Sequence, residues 1–226
     1  MTIHPLDRPV WRALNSGWAG LAQGDARAKR LNPDYGPFAA PADTSPESLA
    51  ALSGLDIGSG VWIVETGHLP PVPGTVVARA SLCHQMTMAA LHASPARIPE
   101  FVELGDDDAA DMLALATLTK PGPFATRTHR FGGFIGVKVD GRLVAMAGQR
   151  MKIPGFRELS GVCTHPDFRG KGYAAGLMSI VTARMLSRGE TPFLHTYADN
   201  AGAIALYEAL GFEFRAEIMA TVLTRP

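Results

Sequence analysis

Apolar positions repeat with two different periods along the second half of the chain. ELSGVCTH (158–165) and PFLHTYA (192–198) read as short strands. Between them Ala174, Leu177, Met178, Val181 and Met185 share one face at helical spacing, which predicts a helix over 172–188 with Gly189 as its stop. Upstream, FVEL (101–104) reads as a strand. Asp106 to Asp108 then precede a helix with Ala109, Met112, Leu113 and Ala116 on one face, ended by Lys120-Pro121-Gly122-Pro123. FIGVKV (134–139) and RLVAMAGQRM (142–151) flank Asp140-Gly141, a hairpin signature. A short helix over 200–210 stops at Gly211, and FEFRAEIMATVL closes the chain as one or two strands.

The first hundred residues are less regular. Residues 7–22 predict an amphipathic helix capped by Asp7, with Val10, Leu14, Trp18 and Leu21 on one face. Residues 23–44 read as an irregular connection. Ser45 caps a short helix with Pro46 at its first position, ending near Gly54. VWIVET (61–66) and TVVARASL (75–82) are expected strands, and a helix is expected near 85–93. The element order implies an α/β (α+β) fold with a central mixed sheet flanked by helices. If the strands of the 158–198 unit pair in parallel, it should be a right-handed crossover. Two parts are expected: an N-terminal helical and strand subdomain over 1–98 and the main domain over 99–226.

Composition narrows the function classes. Among 226 residues, 46% are hydrophobic, enough for a sizeable core, and 21 basic residues balance 21 acidic ones. That balance argues against a nucleic-acid or membrane-surface binder, so a basic site has to be local. Cys83 and Cys163 lack metal-ligand spacing, so no metal and a reduced, cytoplasmic setting are expected. MTIHPLDRPVW has no basic segment followed by an apolar run, and no apolar run is long enough to span a bilayer, so neither signal peptide nor transmembrane helix is expected.

One local basic feature stands out. HPDFRGKGYAAGLM (165–178) places Arg169, Gly170, Lys171, Gly172, Tyr173 and Ala174 between a strand and a helix. The first turn of a helix leaves backbone N–H groups unpaired, and its dipole favours an anion there. Glycines let the backbone approach a ligand closely. The loop therefore suits a phosphate group, although it is neither a Walker loop nor a dinucleotide fingerprint. Taken alone, RGKG reads first as a tight strand-to-helix turn with Arg169 and Lys171 solvated.

VCTHPDFRGKGYAAGLM, followed by YADNAGAIALYEALGF, resembles the GNAT superfamily of acyl-CoA-dependent N-acetyltransferases. Arg169, Gly172 and Ala174 match one signature, and Asn200, Ala205, Leu206, Tyr207, Leu210, Gly211 and Phe212 match the second. The likeness covers about residues 100–226. It implies a splayed central sheet, with the N-terminal part as an elaboration, and acetyl-CoA as co-substrate. The loop amides would bind the coenzyme A pyrophosphate. Backbone amides of Val162, Cys163 and Thr164 would lie along pantetheine, with that of Val162 or Cys163 polarising the thioester carbonyl. Direct attack by the amine needs no enzyme thiol, so Cys163 is not expected as a nucleophile.

The same resemblance makes Tyr207 the general acid for the departing thiolate, against a plain core role. Asn200 would bond the coenzyme arm or cap the last helix. Glu158 is the expected base, through burial or a water relay, with His165 and His195 ranked below it. The acceptor is a small-molecule or protein amine, met by residues 106–132, including Arg127, His129 and Arg130. Tyr35 and Phe38 in the N-terminal part are expected over the acceptor mouth, in the core, or on a homodimer surface. The alternative function is a non-catalytic acyl-CoA-binding sensor or partner module.

Overall fold

A computed structural model describes residues 4–92 and 100–226. Five helices are present among them: α1 (Pro9–Leu14), α2 (Pro46–Gly54), α3 (Ala109–Thr119), α4 (Tyr173–Ser187) and α5 (Ala201–Ala209). Strands β1 (Ala22–Gly24), β2 (Ala28–Leu31) and β3 (Ala39–Pro41) form a small antiparallel sheet. The main sheet holds β4 (Val61–Glu65), β5 (Val76–Met88), β6 (Val102–Glu103), β7 (Ile135–Val139), β8 (Arg142–Ile153), β9 (Phe156–Thr164), β10 (Thr191–Tyr197) and β11 (Phe212–Thr224). Its order is β4-β11-β5-β10-β9-β8-β7-β6. The β9–β10 pair is parallel and the others are antiparallel, so the sheet is mixed.

Strand alternation divides the core into two layers. Leu194 of β10 and Leu159 of β9 meet Leu177, Met178, Val181 and Met185 of α4 on one face. Phe193, the next residue along β10, points the other way, into a cluster with Val10 and Leu14 of α1, Trp18 and Phe38. On that same side α3 packs Met112, Leu115 and Ala116 over Phe134, Met146 and Cys163. Each large side chain removed from water in this way contributes about 1.5–3 kcal/mol before the entropy of ordering it is subtracted.

Several expectations for the N-terminal part need correction. The helix expected over 7–22 is broken. A single 3-10 turn, Pro5–Asp7, precedes α1, and Asp7 accepts from the His4 amide (3.0 Å) rather than capping α1. Pro9, which suits a first helical position, opens α1. The helix stops because Gly17 donates its N–H to the Lys152 carbonyl of β8 (3.2 Å), where a Cβ would lie 2.4 Å from Lys152 Cβ. The connection over 23–44 contains the small sheet. The helix expected near 85–93 is strand as far as Met88, because β5 pairs on both edges, with β10 and with β11. The last part of that expected helix, from residue 93, lies outside the described residues.

The second half follows its pattern closely. Asp140 and Gly141 both take positive φ, 50° and 78°, and join β7 to β8 as a tight hairpin. The closing segment is one long strand, β11, with an irregularity between Phe214 and Ala216. Strands β4 and β5, from before residue 98, lie in the same sheet as β7 to β11.

Candidate functional site

The site begins where two parallel strands separate. β9 and β10 pair only through Phe156–Glu158 and Thr191–Phe193. Beyond that point β9 stays attached to β8 and β10 stays attached to β5, so a gap opens between them. A bulge marks the opening in β9. Gly161 takes φ 63°, and the register with β8 gains one residue between Ser160 and Cys163. A Cβ there would come 2.8 Å from the Phe134 ring, so both the turn and the close approach require glycine. The His165 amide donates to the Val144 carbonyl of β8 (2.8 Å). Backbone groups alternate along a strand, so Thr164 turns its amide to the gap while Cys163, opposite Met146, turns its own toward β8.

At the end of this gap lies the basic loop. Gly170 and Gly172 take φ 76° and 77°, and Gly172 is the residue before α4. No side chain caps α4, and the first bond of its ladder runs from the Gly176 amide to the Gly172 carbonyl. The amides of Tyr173, Ala174 and Ala175 thus precede the first intrahelical donor, at the positive end of a fifteen-residue helix. Lys171 Nζ lies 4.8 Å from the Phe168 ring centre. Thr164 Oγ1, just before the loop, is buried with no hydrogen-bond partner.

A cavity of about 360 Å³ occupies the split and reaches both sides of the sheet. On the α5 side it is lined by Asn200, Ala203, Leu206 and Tyr207. Asn200 caps α5, its Oδ1 accepting from the Ala203 amide (3.3 Å). Its Nδ2 group remains free to donate, so capping and ligand binding are compatible. Tyr207 is half-buried and packs edge-on against Phe212, and burial raises its phenol above the ordinary value of 10.0. The hydroxyl therefore keeps its proton at neutral pH.

The opposite side is lined by Phe38, Trp62, the Lys120–Pro123 segment, Arg150, Glu158 and Tyr197. Glu158 is fully buried. It accepts from Arg150 Nε (2.8 Å) and Nη2 (2.7 Å), from the Met151 amide (3.2 Å) and from His195 Nδ1 (3.0 Å). Burial alone would raise its pKa, but Arg150 and then His195 outweigh it and hold the carboxyl at about 2. Such a carboxylate is a poor proton acceptor.

His195 is held from both ends as well. Gln85 donates from Nε2 to the Leu6 carbonyl (2.9 Å) and accepts at Oε1 from Arg215 (2.6 Å), which fixes the orientation of its amide. Its second N–H then points to His195 Nε2 (3.0 Å), which must accept. That nitrogen's lone pair is engaged inside the protein.

Cys163 is buried under α3, and burial pushes its thiol up to about 12, far from a reactive thiolate. His165 is tied to Arg142 (2.6 Å) and to the Asp167 amide (3.3 Å) near the loop. Of the expected acceptor residues, Phe38 lines the cavity, whereas Tyr35 packs against Phe131. Asp106 binds His129 (2.8 Å) and Arg130 (2.9 Å), while His129 Nδ1 is buried with no hydrogen-bond partner among the described residues. Sequence reasoning missed Trp62, Lys120 and Arg150. Only the spacing of Arg150 and Glu158 across the β8–β9 hairpin carried a signal for that pair.

Comparison with known proteins now bears on this geometry. Residues 135–220 match the family model described as FR47-like protein. A solved structure from Novosphingobium aromaticivorans, described as an acetyltransferase from the GNAT family, is 45% identical over 99% of this chain and 100% of that one, with a TM-score of 0.91. The chain belongs to the GNAT family. A GCN5-related N-acetyltransferase from Kribbella flavida shares the GNAT fold at 18% identity, with a TM-score of 0.63 over 96% of this chain and 94% of that one. An acetyltransferase from Yersinia enterocolitica is 40% identical over 57 residues, which span 24% of this chain and 40% of that protein. Within this GNAT fold, among the described residues, no cluster of three metal-ligating side chains occurs and no helix is long and apolar enough to cross a membrane.

Proposed function

We propose that this GNAT chain transfers an acetyl group from acetyl-CoA to a primary amine by direct attack within a ternary complex. The observation that best supports this is the unpaired edge of β9, which runs from the split at Glu158 to the uncapped start of α4. Pyrophosphate would meet the amides of Gly172 to Ala174, with Gly170 shaping the loop and Arg169 and Lys171 adding charge. Pantetheine would extend along Val162 to Thr164, bonding the gap-facing amide of Thr164 and the side-chain amide of Asn200. The amine nitrogen forms its bond to the thioester carbon, the carbon–sulfur bond breaks with its electron pair going to sulfur, and Tyr207 supplies the proton to the thiolate.

The remaining proton, on the amine, goes to water, and water returns a proton to the Tyr207 phenolate. Glu158 and His195 have no open lone pair for it, so their role in this reading is to hold Arg150 and the wall of the cavity. A lysine-like amine with pKa ~10.4 costs about 4–5 kcal/mol to neutralise at pH 7. The rate should therefore rise with pH as the neutral amine fraction rises.

Release of coenzyme A thiol with a panel of protein, amino-acid and polyamine acceptors tests the proposal. Thiol release that depends on one acceptor class is expected. Tight acetyl-CoA binding with no release across the panel would instead favour a non-catalytic acyl-CoA-binding module. The saturated hydrogen bonding of Glu158 and His195 is the observation on that side.

A further inference from the structure

The acceptor side of the cavity has an uneven charge balance. Glu158 is the one carboxylate among the lining residues, and Arg150 neutralises it through a two-bond pair. Lys120, the residue after α3, also lines the cavity, and among the described residues it has no ion-pair or hydrogen-bonding partner for its ammonium. Arg79 adds a second cation. Its guanidinium lies 4.7 Å from the Trp62 ring centre and 5.6 Å from that of Tyr197, and it donates to Tyr197 Oη (2.7 Å). Both rings line the cavity, and Arg79 has no carboxylate partner among the described residues.

Arg79 and Asp199 are both exposed and both outside the lining itself. A cationic acceptor would meet uncompensated positive charge here. An anionic group would meet Lys120 on the lining and, against the Trp62 and Tyr197 rings that line the same side, a guanidinium already oriented by stacking. Phe38, Trp62 and Tyr197 add aromatic surface to the wall. The whole cavity, serving donor and acceptor together, measures about 360 Å³, which suits an acceptor of amino-acid size.

Resting on the acetyl-transfer reading above, we infer that the acceptor is a small amine bearing a carboxylate or phosphate on an apolar or aromatic body, its anion held by Arg79 and Lys120. The same cations disfavour a neighbouring ammonium, which helps deliver the neutral amine where no base is free. Polyamines and lysine-rich tails are disfavoured by the same cations.

The test pairs each amine with its uncharged counterpart. Phenylalanine is compared with phenethylamine, and phosphoethanolamine with ethanolamine, with spermidine as the cationic probe. Thiol release should show at least a tenfold higher kcat/KM for the anionic member of one pair, and that pair identifies the anion. Arg79→Gln and Lys120→Gln should each reduce this ratio at least threefold, which separates the charge of the site from the basicity of the amines. Equal rates within both pairs, or preference for spermidine, would overturn the inference. Should no acceptor release thiol, the transfer reading itself fails. The inference is then decided by calorimetric binding of the same pairs to the protein loaded with coenzyme A. Tighter binding of an anionic member supports it, and equal or absent binding overturns it.

Discussion

The two sides of the cavity are made of different material. The β9 edge and the loop offer backbone, the open edge of β9 and the free amides of α4 within one continuous stretch of chain, to which α5 adds only Asn200 and Tyr207 as polar side chains. The acceptor side offers side chains drawn from far apart, Phe38, Trp62, Lys120, Arg150 and Tyr197. Backbone recognition tolerates sequence change, needing glycine only where φ is positive or space is short. Side-chain recognition does not, since each substitution changes charge or shape directly. A shared donor and a variable acceptor would leave this division.

The largest effect should come from the buried pair that supports the acceptor wall. Glu158→Gln leaves Arg150 without its carboxylate, and the expected cost is about 3–5 kcal/mol of stability, read by urea unfolding. The wild-type pair is acid-labile in a defined window. Glu158 ionises at about 2 in the folded protein, against an ordinary 4.5, so its contribution is complete above pH 4.5 and is lost as pH falls through 2. That step should be missing from the pH–stability curve of the variant. An unchanged unfolding midpoint would mean that the pair does not hold this wall.

Next comes the donor side. Gly172→Glu places a carboxylate at the start of α4 and should weaken acetyl-CoA binding at least about a hundredfold by calorimetry, the sum of lost dipole attraction and added repulsion. Gly172→Ala separates charge from strain. At φ 77° it costs only about 1 kcal/mol of stability, and a Cβ there meets open space, so binding should fall far less. Equal losses in the two variants would make the loop a turn and nothing more.

Tyr207→Phe should lower kcat by about a hundredfold, with acetyl-CoA affinity within about threefold. Normal turnover across the full pH range would return Tyr207 to the core. The smallest effect is reserved for Cys163→Ala. Turnover should stay within about twofold and stability should fall by about 1–2 kcal/mol, because the thiol packs under α3 and its amide faces β8. Loss of turnover would restore a thiol mechanism.

The same division explains what the sequence made legible. The hairpin at Asp140-Gly141, the β9–α4–β10 unit and α5 follow from periodicity and turn chemistry, because their neighbours in space are also neighbours in sequence. Local pattern fails where a distant segment decides. Gly17 ends a helix because Lys152 lies against it, and residues 85–88 are strand because β10 and β11 pair on either edge. Glu158 was legible as a buried acid near the split, but not its four donors, all of which come from the neighbouring strands β8 and β10. Trp62 and Lys120 carry no local sign of their place, since only the folded sheet brings them to one cavity.

Amide hydrogen exchange, followed residue by residue with and without acetyl-CoA, tests the central claim most directly. The open edge of β9 should gain protection at Val162 and Thr164, together with Tyr173 and Ala174 at the start of α4, while Cys163, already facing β8, changes little. Saturating acetyl-CoA that leaves Thr164 and the first turn of α4 exchanging as before would contradict a donor site in this split.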